Sequence, residues 1–267
     1  MRNDFTDKAV IVTGGTKGIG LACGLAFARN GAHCYLTHRW GSADEDAVRA
    51  QFEQIGAREP PIIEADVSQD EDTIALLEEV NKDHEHVEVF NSNVCVVQPA
   101  TGVDSYKRRS LLQSLDYSAW PFIAYLQHMK AQLGRLPRYA VGISSDGATN
   151  YFAHYEYVAL SKTVMETLCR YAAYHLRDEN INLNIVQSRN ALTDAVDEIF
   201  GEEYVEFMRR FAGEQYFMLP HEIANAALAL CSGMLDAMNG QVILIDKGMA
   251  FADTSSRLME DREKVGI

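Results

Sequence analysis

The chain has 267 residues, of which 47% are hydrophobic and 23% are charged. This composition is typical of a folded globular protein and excludes an intrinsically disordered chain. The 24 Lys and Arg against 38 Asp and Glu give a net charge of −14. Since such a surface repels phosphate backbones and anionic lipid, we expect no nucleic-acid partner and no membrane partner.

The five cysteines are scattered along the chain and are never spaced as Cys-x-x-Cys. This pattern predicts free thiols in a reducing compartment, with no disulfide framework and no metal site. The polar N-terminus does not resemble a signal peptide, and no apolar run is long enough to cross a bilayer. We therefore expect a cytoplasmic protein.

Short apolar runs alternate with longer helical patterns along the whole chain. The predicted strands are 9–13, 33–37, 61–65, 87–91, 139–144, 181–186 and 241–245. Most of these runs are continuously apolar, which is typical of parallel strands covered by helices on both faces. The alternation predicts an α/β fold, a Rossmann-like doubly wound parallel sheet of about seven strands flanked by helices. No linker or internal repeat interrupts it, so we predict one domain over 1–267.

The helix after the third predicted strand has a recognisable start. Ser68, Gln69, Asp70 and Glu71 have the order of a capping box, in which the serine and the glutamate cap opposite backbone N–H groups. We therefore predict that Ser68 caps this helix.

The segment 194–218 is too long for a simple connection between a strand and a helix. Its bulky apolar residues are Phe200, Tyr204, Phe207, Met208, Phe211, Tyr216, Phe217 and Met218. One interpretation is an extra helix pair that packs on the core. The other is a lid over an apolar substrate, since long connections at the carboxyl end of a parallel sheet often cover the site. Both interpretations remain open here.

A glycine-rich turn directly follows the first predicted strand and opens a helix. It reads Thr13, Gly14, Gly15, Thr16, Lys17, Gly18, Ile19, Gly20. Glycines allow a tight turn, and the positive end of the helix attracts a pyrophosphate. The strand–turn–helix context that supports such a motif is present.

This Thr-Gly-x-x-x-Gly-Ile-Gly spacing resembles the short-chain dehydrogenase/reductase superfamily, and the resemblance extends through most of the chain. It implies a nicotinamide cofactor. The implied cofactor-binding residues are Gly14, Thr16, Lys17, Gly18, Ile19, Gly20, His38, Arg39, Asp66, Val67, Asn93 and Lys162. In the family, an acidic residue at the end of the second strand selects NAD. Here His38 and Arg39 stand there and Lys17 lies in the turn, so cations without a carboxylate favour NADP(H).

Reductases of this superfamily commonly use a Tyr-x-x-x-Lys pair, with a serine about thirteen residues before the tyrosine. Lys162 and Ser145 fit the lysine and the serine, but Val158 stands at the position of the tyrosine. Tyr155 precedes Lys162 by seven residues. This Tyr-x6-Lys spacing resembles NADPH-dependent enoyl-acyl-carrier-protein reductases. The resemblance implies Tyr155, Lys162 and Ser145 as catalytic residues, with the phenol directed at the carbonyl oxygen of an enone or enoyl thioester.

Several residues depart from the family pattern on the nicotinamide side. Cys95 replaces a glycine, Ser188 and Arg189 replace an expected Pro-Gly, and Ser114 is the nearest match to a helix asparagine. Three functions therefore remain open. The first is reduction of a conjugated carbonyl with NADPH. The second is an atypical ketoreductase of secondary metabolism, and the third is a catalytically silent, cofactor-binding subunit.

The expected partner is a small apolar or carrier-bound substrate. Family members usually assemble through the helix that begins near Ser161, so the resemblance also implies a homo-oligomer, either a dimer or a tetramer.

Overall fold

The computed structural model describes residues 4–41 and 43–266, and their side chains except at 194–200, 212 and 265. Its strands are β1 Ala9–Val12, β2 His33–His38, β3 Ile62–Glu64, β4 Val87–Ser92, β5 Tyr139–Ser145, β6 Asn182–Ser188 and β7 Gln241–Ile245. Within the described residues these strands form one parallel sheet with the order β3-β2-β1-β4-β5-β6-β7. The predicted doubly wound fold is confirmed, and every predicted strand is present with ends that shift by one or two residues.

The helices occupy the chain between the strands. They are α1 Gly18–Ala28, α2 Glu45–Gln54, α3 Asp70–Asp83, α4 Arg108–Ser118, α5 Pro121–Leu133, α6 Glu156–His175, α7 Asp194–Ala212, α8 Pro220–Leu230, α9 Thr254–Glu260 and α10 Arg262–Val265. Among the described residues, no helix combines the length and the apolar character that a bilayer crossing requires.

Two apolar cores cover the opposite faces of the sheet. Val10 and Val12 belong to the core that includes residues of α1 and α8, whereas Ala9 and Ile11 belong to the core that includes residues of α3, α5 and α6. Successive side chains of a strand point to opposite faces, so one strand contributes to both cores. This explains why the sequence of β1 is apolar throughout.

The predicted capping box before α3 is wrong. Gln69 is the residue before the helix, and its side chain makes no capping hydrogen bond. The Ser68 hydroxyl instead donates to Asp66 Oδ1 at 2.8 Å, and Asp72 Oδ2 accepts from the Asp66 backbone N–H at 2.7 Å. The Ser68 hydroxyl is therefore engaged in a local hydrogen bond to Asp66, and this bond competes with helix capping.

The segment 194–218 is mainly helical. α7 is interrupted at Gly201, where φ is +77°, and is followed by a short 3-10 turn at Glu214–Tyr216. Met208 and Phe217 form a small third core with Met249. The side chain of Phe200 lies outside the described residues. The predicted extra helix packing is present, and the possible lid role depends on the site described below.

The C-terminal residues pack against α7. The Arg257 guanidinium lies over the Phe211 ring at 4.8 Å and over the Tyr216 ring at 5.9 Å. Its Nη1 donates to the sulfur of Met249 at 3.1 Å. Arg257 therefore joins the tail to the small core beneath α7.

Candidate active site

The glycine-rich turn connects β1 to the N-terminus of α1, beside the point where the strand order reverses between β1 and β4. Gly14 and Gly18 have φ of +61° and +55°, a conformation that side chains rarely adopt. A Cβ at Gly20 would lie 2.1 Å from the Gly14 carbonyl oxygen. The Asn93 amide holds this turn by donating to the carbonyl oxygens of Thr13 and Gly14, each at 3.2 Å.

The turn leaves a positive helix end open. Lys17 is the residue before α1, and the first turn of the helix contains no acidic residue. Thr16 is buried, and Ile19 lines the pocket that continues from the turn. A pyrophosphate fits this cradle, because backbone N–H groups and the helix dipole both favour negative charge there. The residues present therefore fit a dinucleotide cofactor.

The end of β2 carries a cation that is already paired. Arg39 Nη2 lies 2.8 Å from Asp66 Oδ2, and the Tyr117 hydroxyl donates to the same oxygen at 3.1 Å. Arg39 also donates to the Tyr117 hydroxyl, and its guanidinium lies 3.7 Å from the centroid of the Trp40 ring. The structure thus brings Arg39 and Asp66 together, although the sequence indicated them separately.

The other predicted residues of this region have different surroundings. Lys17 is exposed and Val67 is buried. His38 is also buried, with Nε2 3.7 Å from Glu45 Oε1. His38 is therefore directed at the partly exposed Glu45 carboxylate, whereas Arg39 is directed at Asp66.

Tyr155, Lys162 and Ser145 line one pocket at the carboxyl ends of β5 and β6. Tyr155 immediately precedes α6, and its ring packs on Gly147, where a Cβ would lie 2.5 Å from Tyr155 Cε1. Burial raises the pKa of Tyr155, Cys95 raises it further, and a hydrogen bond with Ser145 opposes the rise. The phenol therefore stays protonated at neutral pH and can donate a hydrogen bond.

Lys162 is buried on α6, with its amine directed at β5. Nζ donates to the Ile143 carbonyl oxygen at 2.7 Å. An ammonium group has three donors, so two remain for a ligand in the pocket. This arrangement fixes the position of the amine and leaves it able to bind hydroxyl groups.

The predicted departures from the family pattern have distinct positions. Val158, Cys95 and Asn93 all line the pocket. Ser114 is fully buried on α4, outside the pocket lining, and its hydroxyl has no partner among the described residues. Val158 thus presents hydrocarbon inside the pocket, while Ser114 contributes no group to it.

The pocket also contains residues that the sequence did not identify as functional. Asp146 and Tyr204 line it, and Arg189 Nη1 lies 3.3 Å from Asp146 Oδ2. Burial raises the pKa of Asp146 to about 6, and the nearby Arg189 opposes the rise. Their positions in the sequence could have identified them as site residues, since Asp146 directly follows β5 and Arg189 directly follows β6. Tyr204 and Phe217 belong to 194–218, so this segment contributes to the pocket lining, and its role as a lid stays a prediction.

A separate cluster lies at the opposite end of the sheet, where β2 begins. One ligand atom each from His33, Asp83 and His84 lie within 4.8 Å of one another, a group that the sequence did not bring together. However, Arg58 Nη2 donates to Asp83 Oδ2 at 3.0 Å. Burial, followed by the charge of Arg58, lowers the pKa of His33 to about 4. We assign no metal to this cluster because the guanidinium already neutralises the carboxylate.

The fold and the glycine turn define a doubly wound α/β protein with a cradle that fits a nucleotide cofactor. The family model described as enoyl-(acyl carrier protein) reductase matches residues 14–250. The chain therefore belongs to this family, within the short-chain dehydrogenases/reductases. Family members bind a nicotinamide cofactor.

Individual relatives are more distant. The short-chain dehydrogenase/reductase FrzI of Cladobotryum is 28% identical over 255 residues, which cover 91% of this chain and 96% of that protein. The 3-oxoacyl-acyl-carrier-protein reductase FabG of Chlamydia trachomatis is 26% identical, covering 92% of this chain and 98% of that protein. The solved enoyl-acyl-carrier-protein reductase (NADH) of Aquifex aeolicus superposes with a TM-score of 0.82 at 21% identity, covering 94% of this chain and 99% of that chain. This last similarity concerns the fold alone.

Proposed function

We propose that this protein is an NADPH-dependent oxidoreductase that reduces a conjugated carbonyl compound, such as an enoyl thioester or an enone. One observation carries the proposal. Tyr155, Lys162 and Ser145 line the same pocket as Ile19 and Asn93 of the cofactor side. A phenol thus lies in the pocket even though Val158 replaces the usual tyrosine.

Each residue of the pocket has a role in this proposal. Tyr155 donates a hydrogen bond to the carbonyl oxygen and stabilises the negative charge that develops there. Ser145 orients the phenol through the hydrogen bond between their side chains. Lys162 binds the ribose next to the nicotinamide with the N–H groups that Ile143 does not use. When bound, NADPH supplies the hydride.

The choice of NADPH over NADH is supported by Arg39. The Aquifex aeolicus relative is an NADH enzyme by its name, so membership in the family does not determine the cofactor. Here the residue after β2 is the cation Arg39, whose side chain is partly exposed and pairs with Asp66. Guanidinium groups bind phosphate through paired hydrogen bonds, which favours a cofactor with a 2′-phosphate.

We propose further that the protein is a homo-oligomer of single-domain subunits. On α6, the large apolar side chains of Leu160, Tyr171 and Tyr174 are exposed. Such residues are typical of surfaces between subunits.

Substitution of Tyr155 by phenylalanine tests the proposed chemistry. The change removes the hydroxyl and keeps the ring, so we expect NADPH-driven reduction of crotonyl thioester to fall by about 100-fold or more in kcat. The matched control is Tyr151→Phe, since Tyr151 is 84% exposed and should not affect the reaction. The measurement is the loss of NADPH absorbance, with NADPH affinity determined separately for each variant.

Other outcomes identify the other functions. Reduction of a ketone that persists in Tyr155→Phe would indicate the atypical ketoreductase. Stoichiometric NADPH binding without turnover of any enone, enoyl thioester or ketone would indicate the catalytically silent subunit. Either result would overturn the role proposed for Tyr155.

A further inference from the structure

Asp146 and Arg189 reach the pocket region as neighbours because of the sheet register. Ser145 at the end of β5 pairs with Ser188 at the end of β6. The next residues of the two strands are Asp146 and Arg189, so the register places a carboxylate and a guanidinium side by side. Asp146 lines the pocket, and the Arg189 guanidinium lies 5.8 Å from the centroid of the Phe152 ring, which also lines it.

The hydrogen-bonding capacity of Asp146 is only partly used. Oδ2 contacts Arg189 at 3.3 Å and accepts from the Asn150 amide at 3.4 Å. Oδ1 has no hydrogen-bond partner among the described residues. It is buried, since the whole residue is only 1% exposed. A buried carboxylate oxygen without a donor is unfavourable by the full cost of its desolvation. A molecule bound in the pocket could therefore supply the hydrogen-bond donor that Oδ1 lacks.

The surroundings define what kind of partner fits. The pocket lining contains hydrocarbon from Phe152, Val158 and Phe217 together with a few polar side chains, so a carboxylate acceptor within it confers specificity. Arg189 balances the charge of the carboxylate, so the site does not require a cation. An anionic group would be repelled by Asp146, whose carboxyl is ionised above a pKa of about 6. The partner that fits Oδ1 is therefore a neutral hydrogen-bond donor, such as a hydroxyl group.

We propose that Asp146 is a specificity-determining residue that accepts a hydrogen bond from a hydroxyl group of the substrate. The substrate class is then a hydroxylated conjugated carbonyl compound. This inference rests on the proposed function, because it assumes that the reducible compound enters this pocket. Arg189 acts as a positioning residue that holds Oδ2 and leaves Oδ1 for the substrate.

The test measures binding rather than turnover. The probes are cyclohex-2-enones that carry a hydroxyl or a fluorine at each saturated ring carbon in turn, since fluorine is close in size to hydroxyl but has no hydrogen to donate. Dissociation constants are measured by calorimetry on the protein saturated with NADP⁺, which supplies no hydride. We expect one hydroxylated isomer to bind about tenfold or more tightly than its fluorinated partner, as a hydrogen bond to a charged group predicts.

Two variants separate the role of Asp146 from a general effect on folding. Asp146→Leu combined with Arg189→Met removes both charges together, so neither remains buried alone, and we expect this variant to lose the preference for hydroxyl. Arg189→Met alone keeps the acceptor but removes the partner that holds Oδ2, so we expect it to weaken the preference for hydroxyl without abolishing it. Thermal unfolding of each variant verifies that it is folded.

The outcomes distinguish this inference from the proposed function. Equal binding of every hydroxyl and fluoro pair overturns the role of Asp146, as does a preference that persists in the double variant. Failure of all the probes to bind also overturns it. The proposed function is tested separately, by the thioester assay with Tyr155→Phe.

Discussion

The Arg39 guanidinium has protein partners but also has N–H donors that a ligand could use. Its guanidinium pairs with Asp66 and stacks on Trp40. An arginine has five donors in a planar fork, so one edge can contact a carboxylate while another binds a phosphate. The pairing also holds the guanidinium in place before a cofactor binds, which reduces the entropy that binding would otherwise cost.

Substitution of Arg39 by glutamine should weaken NADPH binding by about tenfold to 100-fold and leave NADH binding nearly unchanged, because only NADPH carries the 2′-phosphate. The measurement is the dissociation constant of each cofactor by fluorescence titration. Arg49→Gln is the matched control, since Arg49 pairs with Glu45 and Glu59 on the surface of α2. Equal weakening of both cofactors would contradict the assignment of Arg39.

The N-terminus of α1 is the element on which the proposed cofactor binding depends. The chain turns so tightly after β1 that the Gly14 carbonyl group occupies the space that a Cβ atom at position 20 would need. The same turn is fixed from the neighbouring strand by Asn93, which follows β4. Two strands therefore position one helix end, and the site depends on their pairing across the sheet.

Substitution of Gly20 by alanine should displace this turn, because its Cβ would lie 2.1 Å from the Gly14 carbonyl oxygen. We expect NADPH affinity to fall by about 100-fold, together with a loss of stability. Gly24→Ala serves as the comparison in the same helix, where a Cβ would meet side chains of Leu36 and Phe52 at 3.0 and 3.4 Å. Flexible side chains can move, so this variant should bind NADPH normally. Similar affinities for the two variants would argue against the proposed cradle.

At the scale of the whole molecule, stability depends on the two cores that cover the sheet. Phe122 of α5 is completely buried in the core that also contains Ile11 of β1. Tyr125 of the same helix stacks on Phe90 of β4, with ring centroids 4.8 Å apart. These contacts join the helix layer to the central strands, so a defect there reaches the strands that carry the site.

Truncation of Phe122 to alanine should lower the free energy of unfolding by about 3–5 kcal/mol, since it removes a buried ring and leaves a cavity. Phe251→Ala should change it by less than about 0.5 kcal/mol, because Phe251 is 98% exposed. Urea unfolding followed by circular dichroism measures both. If Phe122→Ala does not fold, Phe122→Leu should show a smaller loss. No loss in either Phe122 variant would contradict the role of this core.

Much of the molecule could be predicted from local sequence. The strands were predictable because buried parallel strands are continuously apolar, and the glycine turn because Gly14, Gly18 and Gly20 follow β1 directly. The capping role that the spacing of Ser68 and Glu71 predicts is absent, since the Ser68 hydroxyl donates to Asp66 instead. Short-range pattern thus identifies elements more securely than it identifies the partners of their polar side chains.

The sequence by itself determined the order of the elements and the presence of a glycine-rich turn between β1 and α1, because both depend on residues that are near one another in the chain. Only the tertiary structure decided that Arg39 meets Asp66, that His38 faces Glu45, and that Arg189 pairs with Asp146 of the pocket lining. These pairs form through packing of elements and through the register of neighbouring strands. Residues distant in sequence are joined by that packing, and no local pattern records it.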